Sequence, residues 1–174
     1  YRVDLSRNTS DTFIDRADFE YLNFTSALLW DISDRVSLQV SFDASRDRIS
    51  PYWGTPLVTP QFGTQPIAGI IDADDGRVVD ERLRDKNYNV ADNTMESDIY
   101  WGRGKLNWKL SDAWTLRNEL YYFDAKRTWR NSETYIFNSA TGLIDRDRFF
   151  VFHDQQIIGN RFELKSDGTW FGHG

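Results

Sequence analysis

The sequence predicts an all-β chain, an antiparallel up-and-down segment of a transmembrane β-barrel with lipid on one side of the sheet and a watery lumen on the other. Three observations predict it. Apolar and polar side chains alternate over runs of about ten residues and more, the period-two signature of a pleated strand, and longer than the roughly six residues usual in soluble sheets. The connections alternate in length, very short at one end of the strands and very long at the other. Outer-membrane barrels have this asymmetry, and a soluble sandwich has no reason to segregate its loops so. Aromatic residues, 16% of the chain, flank the short turn between Trp108 and Trp114, where an interfacial girdle would lie.

The alternation begins at once, with Tyr1, Val3 and Leu5 against Arg2, Asp4 and Ser6. Residues 8–15 (NTSDTFID) read as a polar, turn-rich connection. A second strand is expected over residues 18–32, with Leu22, Phe24, Leu28, Trp30 and Ile32 on one face and Tyr21, Asn23, Thr25 and Asp31 on the other. Ser33-Asp34 supplies a short turn. The third strand, residues 35–44, alternates most cleanly, with Val36, Leu38, Val40, Phe42 and Ala44 against Arg35, Ser37, Gln39, Ser41 and Asp43. Ten residues at ~3.3 Å each, tilted by ~45°, rise about 23 Å, close to the ~25 Å apolar band of such barrels.

Residues 50–93 read as a long irregular segment holding all four prolines, the turn signal Asp75-Gly76 and the charged run DERLRD at 80–85. Loops of that length are usually functional. Residues 97–131 then form a hairpin of two long strands about the turn Ser111-Asp112-Ala113. Its first strand sets Tyr100, Gly102, Gly104, Leu106, Trp108 and Leu110 against Trp101, Arg103, Lys105, Asn107 and Lys109. The second sets Trp114, Leu116, Leu120 and Tyr122 against Thr115, Arg117, Glu119 and Tyr121. A second long connection is expected over residues 132–154. A last strand follows over 155–166, with Ile158, Phe162 and Leu164 opposite Gly159, Arg161, Glu163 and Lys165. Asp167-Gly168 would turn the chain into a further strand at Thr169, Trp170 and Phe171.

Composition narrows the function classes. The 174 residues suffice for one ordinary domain, and the absence of Cys removes disulfide scaffolds and thiolate metal sites. No apolar run approaches the ~20 residues a spanning helix needs. A mean hydropathy of -0.61 would suit a soluble protein, but a barrel hides its apolar residues at every second position. A net charge of -6, with no basic stripe, counts against a nucleic-acid partner. The chain starts without Met inside an alternating run and ends at Phe171-Gly172-His173-Gly174 with no stop signal. Residues 1–174 are therefore expected to be an internal part of a barrel domain.

Residues 80–92 (DERLRDKNYNVAD), followed by 99–108, resemble the early barrel of TonB-dependent siderophore receptors. So do residues 114–131 (WTLRNELYYFDAKRTWRN) and 51–58 (PYWGTPLV), and the resemblance extends over residues 1–171. It implies a barrel of about 22 strands with a plugged lumen, set in the outer membrane of a Gram-negative cell. Short turns would face the periplasm and long loops the exterior. The implied partners are a ferric siderophore, outer-membrane lipid, and TonB through an N-terminal part that these residues do not include. Iron would arrive as cargo of the ligand, so no resident cofactor is expected. The family's plug, TonB box and C-terminal aromatic strand have no counterpart here, and transport is not expected of this segment alone.

Enzyme signatures are poor, and no catalytic or metal-ligating residue is assigned. His153 and His173 lack partners at metal-ligand spacing and read as loop or strand-end residues. Gly102-Arg103-Gly104-Lys105 lacks the spacing of a phosphate loop, and its glycines are expected to relieve crowding or admit a neighbouring aromatic. Residues 72–76 (DADDG) fail the calcium-loop register, because Arg82 would fall at the last ligand position, and read as a solvated turn. The carboxylates are too scattered to single out a glycosidase-like pair.

Aromatic residues in the long loops are more suggestive. Tyr52, Trp53 and Phe62 in the first, with Trp129, Tyr135 and Phe137 near the second, offer flat surfaces to a ligand. Arg127 and Arg130 would supply charge to an anionic ferric complex. Any one of these aromatics is readily explained as loop packing; as a group they are the candidate ligand surface. Two other classes of function compete. A passive porin wall would suit the lumen charges Arg103, Lys105, Arg117, Glu119, Arg161 and Glu163 equally well. A soluble carbohydrate-binding β-domain would use the aromatics as platforms, against which strand length and segregated loops both count.

Overall fold

The computed structural model describes residues 1–167. Its frame is a six-stranded antiparallel sheet made of β1 (Arg2–Ser10), β2 (Phe19–Ser33), β3 (Val36–Ile49), β6 (Thr94–Lys109), β7 (Trp114–Asn131) and β10 (Phe149–Ser166), paired in that order. Each strand lies beside the previous and the next in the chain, once two small hairpins are set aside. These are β4 (Pro66–Ile71) with β5 (Val78–Asp80), and β8 (Tyr135–Asn138) with β9 (Leu143–Arg146). The sheet does not close on itself, and β1 and β10 are its edges.

Residues opposite one another on neighbouring antiparallel strands share a face, so the register assigns every row. One face carries the rows Trp30–Leu38–Leu106, Leu28–Val40–Gly104–Leu120, and Phe42–Gly102–Tyr122–Ile158. Nothing covers it: Leu120 is 54% exposed and Ile158 76%. The other face carries Leu29–Gln39–Lys105–Glu119–Arg161 and Asp31–Ser37–Asn107–Arg117–Glu163. This is the apolar-out, polar-in division that the alternation predicts. The buried apolar residues among those described, Ile14, Ala17, Val58 and Val90, all lie in connections. The sheet therefore has no core of its own, and the packed interior sits at the long-loop end.

Several strands run farther than the alternation foretells. β3 continues from Ala44 to Ile49, and β6 starts at Thr94 rather than Ser97. β1 persists to Ser10, inside the expected connection. β10 begins at Phe149, so the second long connection ends at residue 148, and His153 lies mid-strand opposite Arg127. Along β1, β3 and β6 both faces are largely polar above the apolar band, whereas residues 149–152 of β10 (FFVF) are apolar on both; either way the periodic signal vanishes while main-chain pairing goes on. Cross-strand charge takes over there. Arg46 Nε meets Asp98 at 2.9 Å and Arg48 Nη2 meets the same carboxylate at 3.0 Å.

The short connections, at residues 34–35 and 110–113, fall at one end of the sheet. Those at 11–18, 50–93 and 132–148 fall at the other. The first long loop is not irregular throughout. It folds into the β4–β5 hairpin, whose turn is the DADDG run, with Gly76 at φ +70 and Arg77 paired to Asp75 at 2.7 Å. The glycine expectation also shifts. Nothing lies within 4 Å of a Cβ placed on Gly102 or Gly104, whereas at Gly159 the ring of Tyr121 occupies that space. The Asp167-Gly168 turn and the strand beyond it lie outside the described residues, apart from Asp167 itself.

Candidate functional site

The long connections fold onto one another as a single layer. Asp15 N–H donates to the Asp85 carbonyl at 2.8 Å. Arg16 donates to the Asn87 carbonyl at 2.8 Å, and Asn87 Nδ2 returns a bond to the Arg16 carbonyl at 2.9 Å. Lys86 pairs with Asp15 at 2.6 Å. Asp80, fully buried, accepts from the backbone N–H of Gln65 at 2.8 Å and from Arg82 Nε at 2.7 Å. The guanidinium of Arg82 is the chief reason that its carboxyl is held far below the usual carboxylate range. The charged run at 80–85 is thus a clamp between the β4–β5 hairpin and the short 3-10 turn Glu81–Leu83.

Within this layer the sequence-predicted residues fall into separate groups. Trp53 stacks on Trp129 at 6.1 Å between centroids, Phe149 meets Trp129 edge-on at 5.7 Å, and the Arg127 guanidinium lies 4.6 Å from the Trp129 centroid. Because Arg127, Trp129 and Asn131 are two apart on β7, they share its inner face. Phe62 and Phe137 pair edge-to-face at 5.1 Å and line a cavity of about 450 Å³ with Tyr88, Arg82, Ile144 and Arg146. Tyr52 bonds its hydroxyl to Thr55 at 2.8 Å. Tyr135 buries its hydroxyl without a hydrogen-bond partner, and burial pushes that group up to about 12. Arg130 stands apart from Arg127. It lies on the outer face, in register with Thr94 and Phe150, and pairs with Asp92 at 3.7 Å.

The residues that hold these groups in place escaped the sequence reading. Asn89 and Asn131 are both fully buried. Asn131 Oδ1 accepts from Trp53 Nε1 and from Asn89 Nδ2, each at 2.6 Å. Asn89 Oδ1 accepts from the backbone N–H of Ser132 at 2.7 Å and of Val90 at 2.8 Å. The pair therefore ties the end of β7 to both long connections. Asp147 caps the start of the second, accepting from Glu133 N–H at 2.8 Å, Thr134 N–H at 3.1 Å and Ser132 Oγ at 2.9 Å. These donors hold its carboxyl below the ordinary range. Arg146 bonds the carbonyls of Tyr88 at 2.7 Å and Asn89 at 2.8 Å. In a loop, asparagine, aspartate and arginine are ordinary, and no local pattern marks these as keystones.

Below the layer, the inner face carries the row Thr25–Asp43–Trp101–Phe123–Ile157. Trp101 and Phe123 meet edge-to-face at 5.5 Å, and Arg103 reaches over Trp101 to bond Asp43 at 3.2 Å. Among the described residues no group of histidine, cysteine or carboxylate side chains has the geometry of a metal site.

No protein-family model matches this chain, and no curated protein does. Among solved structures it is similar to the ferric-catecholate import receptor Fiu from E. coli K12 in its open form. The two are 14% identical with a TM-score of 0.66, over 95% of this chain and 26% of that one. The chain thus spans about a quarter of that receptor's length. At this identity the likeness speaks for the fold: the open six-stranded sheet has the architecture of a segment of an outer-membrane β-barrel.

Proposed function

We propose that this chain is part of the wall of an outer-membrane receptor that binds ferric siderophores and imports them with energy relayed by TonB. The observation that carries the reading is the inner-face row of Trp101, Phe123 and Ile157. A water-filled pore gains nothing from apolar and aromatic side chains on its inner wall, whereas a lumen filled by protein covers them. The fold likeness to a ferric-catecholate import receptor points the same way. In this reading the layer built from residues 11–18, 50–93 and 132–148 lies outside the cell and the short turns face the periplasm. Ligand meets the layer first, through Trp53, Trp129, Phe62 and Phe137. Transport is a property of the complete barrel.

The polar remainder of the inner face favours a second reading, a passive porin wall. Lys105–Glu119 at 3.5 Å and Arg103–Asp43 at 3.2 Å would line an aqueous channel equally well. Replacing Tyr52 and Trp53 together by Ala in the complete barrel separates the two. A receptor loses roughly tenfold or more in affinity for the ferric siderophore it takes up, since truncating an aromatic anchor typically removes one to a few kcal/mol, and it still assembles. Binding of every tested ferric siderophore at parental strength would make these aromatics loop packing and favour the porin wall.

A further inference from the structure

We propose that Arg127, Trp129 and Asn131, on the inner face of β7 at its loop end, form a ladder of hydrogen-bond donors for an oxygen-rich anion, with Trp53 as its cover. The proposal deepens the receptor reading and rests on it only for the identity of the natural ligand. All three groups donate and accept nothing at the atoms concerned: a guanidinium, an indole N–H and an amide NH2. Neighbours on one face of a strand are spaced by about 6.8 Å, two residues of rise, so the three side chains leave β7 in a file.

Each lacks an acceptor suited to it. Trp129 Nε1 and Asn131 Nδ2 are buried with no hydrogen-bond partner, and Asn131 as a whole is 0% exposed. The Asn131 amide cannot be exchanged end for end. Its Oδ1 already accepts from the donors Trp53 Nε1 and Asn89 Nδ2, and turning it would set NH2 against both. Arg127 reaches only the sulfur of Met95, at 3.5 Å, and the ring face of Trp129. Among the described residues it has no carboxylate in ion-pair range, and its partners across the strands are Ser97 and His153. Native structures seldom leave buried donors idle. A row of idle donors ending in an uncompensated cation is complementary to a row of anionic oxygens.

Access is through Trp53. It is 51% exposed, held by its bond to Asn131 and its stack on Trp129. The next residue, Gly54, sits at φ +105 with nothing within 4 Å of its Cβ position. Space is therefore open beside Gly54, and in this proposal the half-exposed indole turns aside to admit the ligand.

The test uses the complete barrel protein in detergent, with 15N-labelled tryptophan and two probes. One is inorganic phosphate; the other is gallium(III) tris-catecholate, a diamagnetic stand-in for the iron complex. Asn131→Asp keeps the acceptor oxygen that Trp53 and Asn89 use and replaces only the idle donor. Arg127→Gln removes the half-buried cation and keeps the fold testable if the first variant assembles poorly. The expected result is that both probes move the Trp129 indole N–H resonance, and that each variant weakens binding roughly tenfold or more. Lys126→Gln, on the outer face in register with Asp98 and Asp154, should leave both unchanged. Phosphate moving Trp129 without any binding of the gallium complex would sustain the ladder and overturn the siderophore reading. Tight binding of the gallium complex by parent and variants alike, with Trp129 unmoved, would overturn the ladder and leave the receptor reading standing. A Trp129 resonance that neither probe moves would also overturn it.

Discussion

Asp80 gathers its donors from Gln65 and Arg82, and the fold prefers its ionised form, since the carboxyl is held far below its ordinary value of 3.8. A lowered folded pKa means stability that is complete above about pH 4 and is lost as pH falls through the depressed value. The β4–β5 hairpin should accordingly stay closed in mild acid. Its amide exchange at Gln65 and Arg82, corrected for intrinsic rate, should accelerate only well below pH 4, while Asp80→Asn should accelerate it already at neutral pH. Tyr135 presents the opposite case, a buried hydroxyl with no partner. Removing an unsatisfied buried polar group relieves a desolvation cost of about 1–3 kcal/mol. Tyr135→Phe should therefore raise the melting temperature of the complete barrel slightly, and a clear drop would reveal a partner that the hydroxyl acquires in the complete barrel.

Strands are where facing can be tested. Leu38 lies in the row Trp30–Leu38–Leu106 on the apolar face, and Gln39 in the row Leu29–Gln39–Lys105 on the polar one. An Arg at a lipid-facing midplane position costs roughly 2–4 kcal/mol, while the lumen side tolerates it. Leu38→Arg, one row above Val36–Trp108, should lower the stability of the reconstituted barrel by up to that amount and Gln39→Arg by much less. Equal losses in a denaturant titration would place the membrane elsewhere. The same strands run past the end of their alternating pattern. In β3 the alternating code stops at Ala44, yet the ladder runs on to Ile49, because Arg46, Arg48 and Asp98 satisfy one another across the strands where neither lipid nor core demands an apolar side chain.

At the scale of the whole molecule, the sheet has two unpaired edges, β1 and β10, and an apolar face that nothing covers. Open edges recruit other strands, and large uncovered apolar patches associate. Residues 1–174 expressed alone should therefore not yield a monodisperse, cooperatively melting monomer in detergent-free buffer, as light scattering and a thermal melt would show. What the sequence by itself determined is the sheet: strand identity, facing and the segregation of long and short connections. All of these follow from a local period-two pattern and from chain lengths. The loop layer was decided only by tertiary structure. Neither the division of the candidate residues into a Trp53–Trp129–Arg127 group and a Phe62–Phe137 group, nor the placement of Arg130 on the opposite face, has a local signature. Nor do the buried Asn89–Asn131 pair and the Asp80 clamp, because their hydrogen bonds join residues far apart in the chain. A side chain's partner in such a layer depends on how the loops fold over one another, and period-two alternation carries no information about that.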